Sequence, residues 1–434
     1  MKIIGIKSTG NGTNNQIRGL ILEGARNWVL PSTRKKLLKD PAWKLLYRGS
    51  TKAIRKSINF FSKILKTPNT RQDLLSGKRG KLLHRENYNS DASFAKAVQD
   101  SVNAFCKKAK KQNKLIPEFV ILPYDQGKPA NEAADVDMLS QYVKRSFKKN
   151  KISVKTMVIA SKLYDYKNVD LINVGKHQLS TKDASILKDN PELTKKVSVT
   201  LGVPSNLSWL IIKQDALIPS KKKELKQYKD KCILFSLGGK TENNDISFTI
   251  DDAKKLLKYA KELKSKEYKI AFTNSARTPI DVTDFLYENC IKLGFNFYNS
   301  KKLASKQDAE KNFRLYYGKY NKEFKKQTKR LGGNIYPGIL KHCKAVINTH
   351  DSFSYTSDIA VLGITSIVYT ENKIDAKKRP DCGRLFRMCQ KKGYVISLDE
   401  AVKTLSQGKE ILTKKMPGIN KQLLSDMKKI INNQ

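Results

Sequence analysis

Ala345-Val-Ile-Asn-Thr-His-Asp-Ser-Phe-Ser-Tyr-Thr-Ser-Asp-Ile-Ala-Val-Leu-Gly-Ile-Thr-Ser-Ile-Val-Tyr-Thr370 is the stretch that decides the fold. A short apolar run, Ala345–Ile347, leads into a dense polar cluster of Asp351, Ser352, Ser354, Thr356 and Ser357. An apolar helical run follows and stops at Gly363, and Ser366–Tyr369 then reads as a strand. Strand, polar turn, helix, glycine stop and strand make one parallel α/β unit. Asp351 or Ser352 is placed to cap the helix, and hydroxyls beside free N–H groups at a helix start suit an anion. A capping cluster that binds nothing has the same pattern.

Working outward, the same rhythm repeats after residue 231. Cys232–Leu237 reads as a strand ending in Gly238-Gly239-Lys240-Thr241, and Thr249–Lys264 as a helix capped by Thr249 or Asp251. Tyr268–Thr273 is a strand ending in Asn274-Ser275-Ala276-Arg277-Thr278-Pro279, followed by a helix over Asp281–Leu293 and a short strand, Asn296–Tyr298. Residues 299–333 read as basic and irregular, and Tyr336–Cys343 as a short helix. Beyond the opening stretch, Asp381–Lys392 and Leu398–Gln407 read as helices.

The first half has its own α/β series. Met1–Ser8 reads as a strand entering the turn Gly10–Gln16, and Ile17–Ala25 as a helix. The spacing is not GxGxxG, so this loop suits an acceptor or substrate at least as well as a dinucleotide, with Gly12, Asn15 and Gln16 as its candidates. Strands at Pro117–Pro123, Val154–Ala160, Asp170–Val174 and Val197–Leu201 alternate with helices at Ala92–Lys110 and Asn131–Lys148. The fold expected is α/β, with two Rossmann-like doubly wound domains facing a cleft. Their bounds are 1–222, with a basic insertion at about 31–91, and 223–415. Residues 219–231, with six lysines, serve as the connection, and a helix in 416–434 could cross back to the first domain.

Composition bounds the function. In 434 residues the net charge is +45, from 70 Lys and 15 Arg against 40 acids. Lysine spread over nearly every surface helix lacks the Arg forks and aromatic platforms of specific nucleic-acid readers, so nucleic acid is not the expected partner. Residues 31–66 stand apart, with eleven Lys/Arg, one acid and an apolar stripe at Ile54, Ile58, Phe61 and Leu65. A helix with such a stripe either lies on an anionic membrane surface or packs on its own domain. No apolar run reaches transmembrane length and no signal peptide is evident, so a cytoplasmic protein, peripheral at most, is expected. The six cysteines lack CxxC spacing and the four histidines lack i, i+4 pairs, so neither metal nor cofactor is expected.

The polar clusters of the second half all end predicted strands, the edge at which open parallel sheets bind ligands. Gly238, Gly239, Lys240, Ser275, Arg277, Thr278, Asp351, Ser352, Ser354 and Ser357 then suit a diphosphate, and a nucleotide-sugar is the expected partner. Two Rossmann-like halves with the ligand on the second describe the GT-B arrangement of sugar-nucleotide transferases. For a general base, His177 is the candidate, with Asp125 and Asp165 behind it.

Several motifs in order carry a family resemblance: Asn15-Gln16 leading to Gly19-Leu20; Tyr164-Asp165; Asp170-Leu171 ending near His177; and Thr-Leu-Gly-Val-Pro at 200–204. They continue with Gly238-Gly239, Thr-Asn-Ser-Ala-Arg-Thr-Pro at 273–279, Asn-Ile-Tyr-Pro-Gly at 334–338, Thr-His-Asp-Ser-Phe-Ser at 349–354, Ser357-Asp358 and Gly383-Arg384. Across nearly the whole chain it resembles the mitochondrial-fission-like family named for the plant elongated-mitochondria factor. That resemblance implies a GT-B protein related in pattern to bacterial lipid-glycosyl transferases. It points to glycosyl transfer onto a cell-envelope or lipid-linked acceptor, or else to a non-catalytic membrane-associated adaptor. Two positions depart from the family: Asp358 stands where it has Glu, and Pro123-Tyr124-Asp125-Gln126-Gly127 where it has a Gly-Arg-Arg-like loop. The segments 31–91 and 299–333 fall outside the resemblance.

Overall fold

The computed structural model describes residues 2–6, 16–21, 74–75, 83, 85–111, 116–123, 132–160, 162–205, 207–229, 231–241, 245–407 and 409–432. The membrane stripe at 54–65, Gly12, Asn15 and Asp125 lie outside them. The chain forms two compact units, one of residues 1–206 with 418–434 and the other Leu207–Pro417.

The first unit is built on six parallel strands: β1 Ile3–Ile6, β2 Leu74–Leu75, β3 Phe119–Leu122, β4 Lys155–Ala160, β5 Leu171–Gly175 and β6 Val197–Thr200, in the order β2-β1-β3-β4-β5-β6. Most of these strands are apolar along their length because both sheet faces are covered. Ile4, Ile6, Val120, Leu122, Val158 and Ile172 share one core with Phe94, Val98 and Val102 of the helix Asp91–Lys111 and Val136, Leu139 and Val143 of Glu132–Lys149. The alternate residues Ile3, Phe119, Ile121 and Met157 are equally buried on the opposite face. The helix Ile419–Asn432 is tied to β6, with Ser198 Oγ donating to Asp426 Oδ2 at 2.7 Å and Gln422 Nε2 to the Val199 carbonyl at 3.0 Å.

The second unit has β7 Cys232–Ser236, β8 Lys269–Thr273, β9 Asn296–Tyr298, β10 Lys302–Leu303, β11 Leu315–Tyr316, β12 Cys343–Thr349, β13 Thr365–Tyr369 and β14 Ile396–Ser397. Six of these form a parallel sheet ordered β14-β13-β12-β7-β8-β9, while β10 and β11 pair separately. Period-two alternation divides the sheet's residues between two cores. Ile233, Phe235, Ile270, Phe272 and Ile347 face the helices Ile250–Lys264 and Ile280–Leu293. Cys232, Leu234, Ala271 and Val346 face Ile212, Ala216, Leu225, Tyr228, Ile359 and Leu362. Helices on both faces of a parallel sheet make the unit doubly wound. In the opening stretch the helix is Phe353–Leu362, closed by Gly363 at φ +74°, where a side chain would be strained.

Three segments differ from the sequence reading. The units part after residue 206 rather than near 222, because the helices Trp209–Ala216 and Pro219–Leu225 cover one face of the second sheet. Lysines dominate 219–231, yet Leu225 and Tyr228 are buried. The basic insertion at about 31–91 contributes the edge strand β2, and Leu75 and Leu83 are buried. The supposedly irregular 299–333 holds two helices, Lys306–Lys311 and Asn321–Leu331, as well as β10 and β11. In the longer helix Phe324 and Leu331 are the buried anchors, too sparse a pattern to stand out among lysines.

Candidate functional site

In the second sheet the chain runs outward from β7 through β8 to β9, then returns to lay β12 beside β7 and runs the other way through β13 to β14. The switch point therefore lies between β7 and β12, where loops leaving neighbouring strand ends part to opposite faces. Gly238-Gly239 follows β7, Asp351 follows β12 and Ser275–Thr278 follows β8, so parallel topology gathers all three on one edge.

The three loops are bonded to one another. Gly238 N donates to Thr349 Oγ1 at 2.8 Å, Gly239 N to Asp351 Oδ2 at 3.3 Å and Lys240 N to the Arg277 carbonyl at 3.0 Å. Thr278 Oγ1 donates to the Gly238 carbonyl at 2.6 Å, and Ser275 Oγ to the same carbonyl at 3.2 Å. Ser275 N and Arg277 N donate to Thr278 Oγ1 and Ser275 Oγ. The backbone donors expected to face an anion are thus taken up inside the protein. The glycines serve a different need. A Cβ on Gly238 would lie 2.3 Å from Asp351 Oδ2, and one on Gly239 would lie 2.0 Å from the Arg277 carbonyl oxygen. It is neighbouring protein that approaches this loop closely.

Asp351 is the hub. Its side chain is fully buried, and its Oδ2 pairs with an Arg277 Nη at 2.5 Å while also accepting from Gly239 N. It does not cap the following helix; Ser352 occupies the N-cap, and its side chain makes no capping hydrogen bond. Thr356 folds back onto the Ser352 carbonyl, and Asn348 Nδ2 donates to Thr356 Oγ1 at 2.8 Å.

Burial separates the ten candidates into two groups. Gly238, Gly239, Thr278, Asp351, Ser352 and Ser357 are buried and form the frame. Lys240, Ser275, Arg277 and Ser354 reach the surface. Among the described residues Lys240 forms no ion pair; its ammonium lies 5.9 Å from the centre of the Phe313 ring.

Two groups at this edge escaped the sequence reading. His350 packs edge-on against Phe386 at 5.4 Å, and desolvation, outweighing the Asp351 charge, pulls its pKa below the usual histidine value. Lys301, one of a Lys-Lys pair, is buried and donates to the carbonyls of Thr278 and Phe313, each at 2.8 Å. Burial, then the Lys240 charge, lowers its pKa to about 8. Nothing in a lysine-rich sequence marks one lysine as the buried one.

In the first unit, His177 follows β5 in a short 3-10 turn, is completely buried, and packs so closely on Gly175 that a Cβ there would lie 2.4 Å from its ring. An imidazole shut off from solvent is not placed to take a proton from an acceptor, which corrects its selection as the base. Asp165, on the loop after β4, is exposed; that loop is anchored where Lys167 N and Asn168 N donate to Asp137 at 2.7 and 2.8 Å. Gln16 opens helix 16–21 beyond β1 and is half-buried. Among the described residues no cluster of His, Cys, Asp or Glu could hold a metal ion.

No protein-family model and no curated protein matches the chain. Among solved structures it is similar to a glycosyltransferase from Rickettsia africae, at 10% identity and a TM-score of 0.37, covering 100% of this chain and 98% of that one. It is also similar to the UDP-GlcNAc 2-epimerase of Methanocaldococcus jannaschii in complex with UDP-GlcNAc and UDP, at 11% identity and a TM-score of 0.35, covering 87% and 88%. A family 9 glycosyl transferase from Veillonella parvula matches at 10% identity and a TM-score of 0.33, covering 77% and 79%.

Proposed function

We propose that the second unit binds a nucleoside diphosphate-sugar at the β7–β12 switch point and that the protein is a GT-B-type glycosyltransferase. The observation that carries this is the cluster there of solvent-reaching polar side chains, Lys240, Ser275, Arg277 and Ser354, on a buried hydrogen-bonded frame at the edge where parallel sheets take ligands. Lys240 and Arg277 meet the diphosphate as charges, and Ser275 and Ser354 as hydroxyls. The start of the helix Phe353–Leu362 adds positive backbone dipole. Asp351 holds Arg277 in place without touching phosphate, since like charges repel.

In transfer, the bond from the anomeric carbon to the diphosphate oxygen breaks and one from that carbon to an acceptor hydroxyl oxygen forms. Negative charge grows on the departing nucleoside diphosphate, where Lys240 and Arg277 stabilise it. The hydroxyl proton passes to a general base as the new bond forms. The finer form of the proposal follows the family resemblance: a lipid-linked or cell-envelope acceptor, with residues 31–66 on an anionic membrane surface, and Gly12, Asn15 and Gln16 on the acceptor side.

A thermal-shift panel of uridine, guanosine and adenosine diphosphates tests the binding. Ligand at a hundred times its Kd stabilises a protein by about 2.7 kcal/mol, so one nucleotide should raise Tm clearly. A shift with no turnover by the parent protein on any donor would favour the adaptor.

A further inference from the structure

Lys301 is the described cation at this edge that the proposed chemistry leaves unused. Its side chain is 4% exposed. Its ammonium bonds two carbonyls, and among the described residues it meets no carboxylate. Lys221 shows the contrast: it is as deeply buried but pairs with Asp215 at 2.7 Å. A buried charge without a counter-charge is costly to keep, and adding a like charge nearby makes it more so. Lys301 stands beside Lys240, which among the described residues has no ion pair either. One of its two carbonyls belongs to Thr278, in the loop that carries Arg277; the other belongs to Phe313, whose ring lies 5.9 Å from Lys240 Nζ and 5.7 Å from the Arg314 guanidinium carbon. Lys301 therefore clasps the site loop to the 299–333 segment and seats the aromatic ring against which Lys240 rests.

We propose that Lys301 is a positioning residue of this site, and that an anionic ligand at Lys240 and Arg277 supplies its missing counter-charge, so that a nucleoside diphosphate binds together with a proton. Resting on the nucleotide site proposed above, this adds a regulatory property to it: affinity that falls as pH rises through the titration of Lys301. Charged groups on the surrounding elements are Lys240 after β7, Arg277 after β8, Asp281, Asp284, Glu288 and Lys292 on the helix Ile280–Leu293, the neighbouring Lys302, and Arg314 before β11. Asp284 is taken by Tyr316 Oη and Lys319 N, and Lys240 is the charge that bears on Lys301. With its pKa lowered to about 8, free Lys301 is largely charged at pH 7 and largely neutral at pH 8.5. A nearby diphosphate raises that pKa again, and the proton taken up comes from solvent.

The experiment is calorimetric titration of uridine and guanosine diphosphate into the full chain at pH 7.0 and 8.5, in buffers of differing ionisation enthalpy. At pH 8.5 both diphosphates are fully ionised, so any proton taken up belongs to the protein. The parent protein should take up roughly half a proton or more per site at pH 8.5 and clearly less at pH 7.0. Lys301→Arg, which keeps the charge without titrating, should bind with little uptake and a flat pH profile. Lys301→Met, checked for folding by circular dichroism, should bind more weakly and without uptake. Equal uptake in parent and Lys301→Arg, or binding by the parent with none, overturns the role of Lys301 and leaves the nucleotide site standing. Absence of binding at either pH overturns the nucleotide site itself and this inference with it.

Discussion

Arg277 and Asp351 show how one pair can belong to both stability and binding. Asp351 is fully buried and Arg277 is 27% exposed. Removing the arginine strands a carboxylate in the interior, where the surviving Gly239 N–H offers weak compensation. Arg277→Ala should therefore cost about 2–3 kcal/mol of folding stability, reduced from the fully buried case by the solvent on the arginine side. Urea unfolding measures it, and a loss below about 0.5 kcal/mol would mean the pair is not formed in solution. His350 makes a second prediction. Its folded pKa lies below the unfolded value of about 6.5, chiefly by desolvation. The unfolded chain then takes the proton first, so His350 favours the folded state above about pH 6.5 and withdraws that support as pH falls. Between pH 7.5 and 5.5 the parent should lose more stability than His350→Gln, and an equal loss in the two would show that His350 is not the group responsible.

Elements were legible in the sequence where periodicity was strong. β9, the helix Thr249–Lys264 and the strand-turn-helix-glycine-strand order of 343–369 emerge nearly as read, because apolar alternation and a positive-φ glycine are local signals. The convergence of the three loops was legible for the same reason, since parallel topology puts strand ends on one edge. What was not legible was which atoms those loops would spend on each other. A Gly-Gly turn that admits a carboxylate reads like one that admits a phosphate. The helix Asn321–Leu331 was hidden because lysines surround its two anchors. Phe324 touches the rings of Tyr287, Phe297 and Tyr316 at 4.9–5.9 Å. Phe324→Ala should cost about 3–5 kcal/mol, as for other buried aromatic truncations, and raise proteolysis within 299–333. Wild-type resistance in that variant would argue that the helix is held by other contacts.

At the scale of the whole molecule the dominant fact is a net charge of +45. A field of that size draws any polyanion, so attraction to anionic vesicles is by itself uninformative. No described helix is long and apolar enough to cross a membrane. The segment 31–66 should contribute beyond bulk charge, because apolar residues share it with eleven cations. Neutralising five of its Lys/Arg should weaken sedimentation with anionic vesicles more than neutralising five lysines on the helices of the second unit, and the difference should persist at 0.15 M salt, where the Debye length is about 8 Å. Equal loss in the two variants would reduce the membrane reading to net charge.

The central claim is that the β7–β12 edge takes a nucleoside diphosphate. Lys240 is the cleanest probe of it, since among the described residues its ammonium meets an aromatic ring and no carboxylate, and its removal strands no charge. Calorimetric titration of uridine, guanosine and adenosine diphosphates into the parent and into Lys240→Ala tests it most directly. One nucleotide should bind at a single site, and Lys240→Ala should weaken it roughly tenfold, about 1.4 kcal/mol, with no loss of folding stability. No binding of any of the three by the folded parent, or equal affinity in the two proteins, would contradict it.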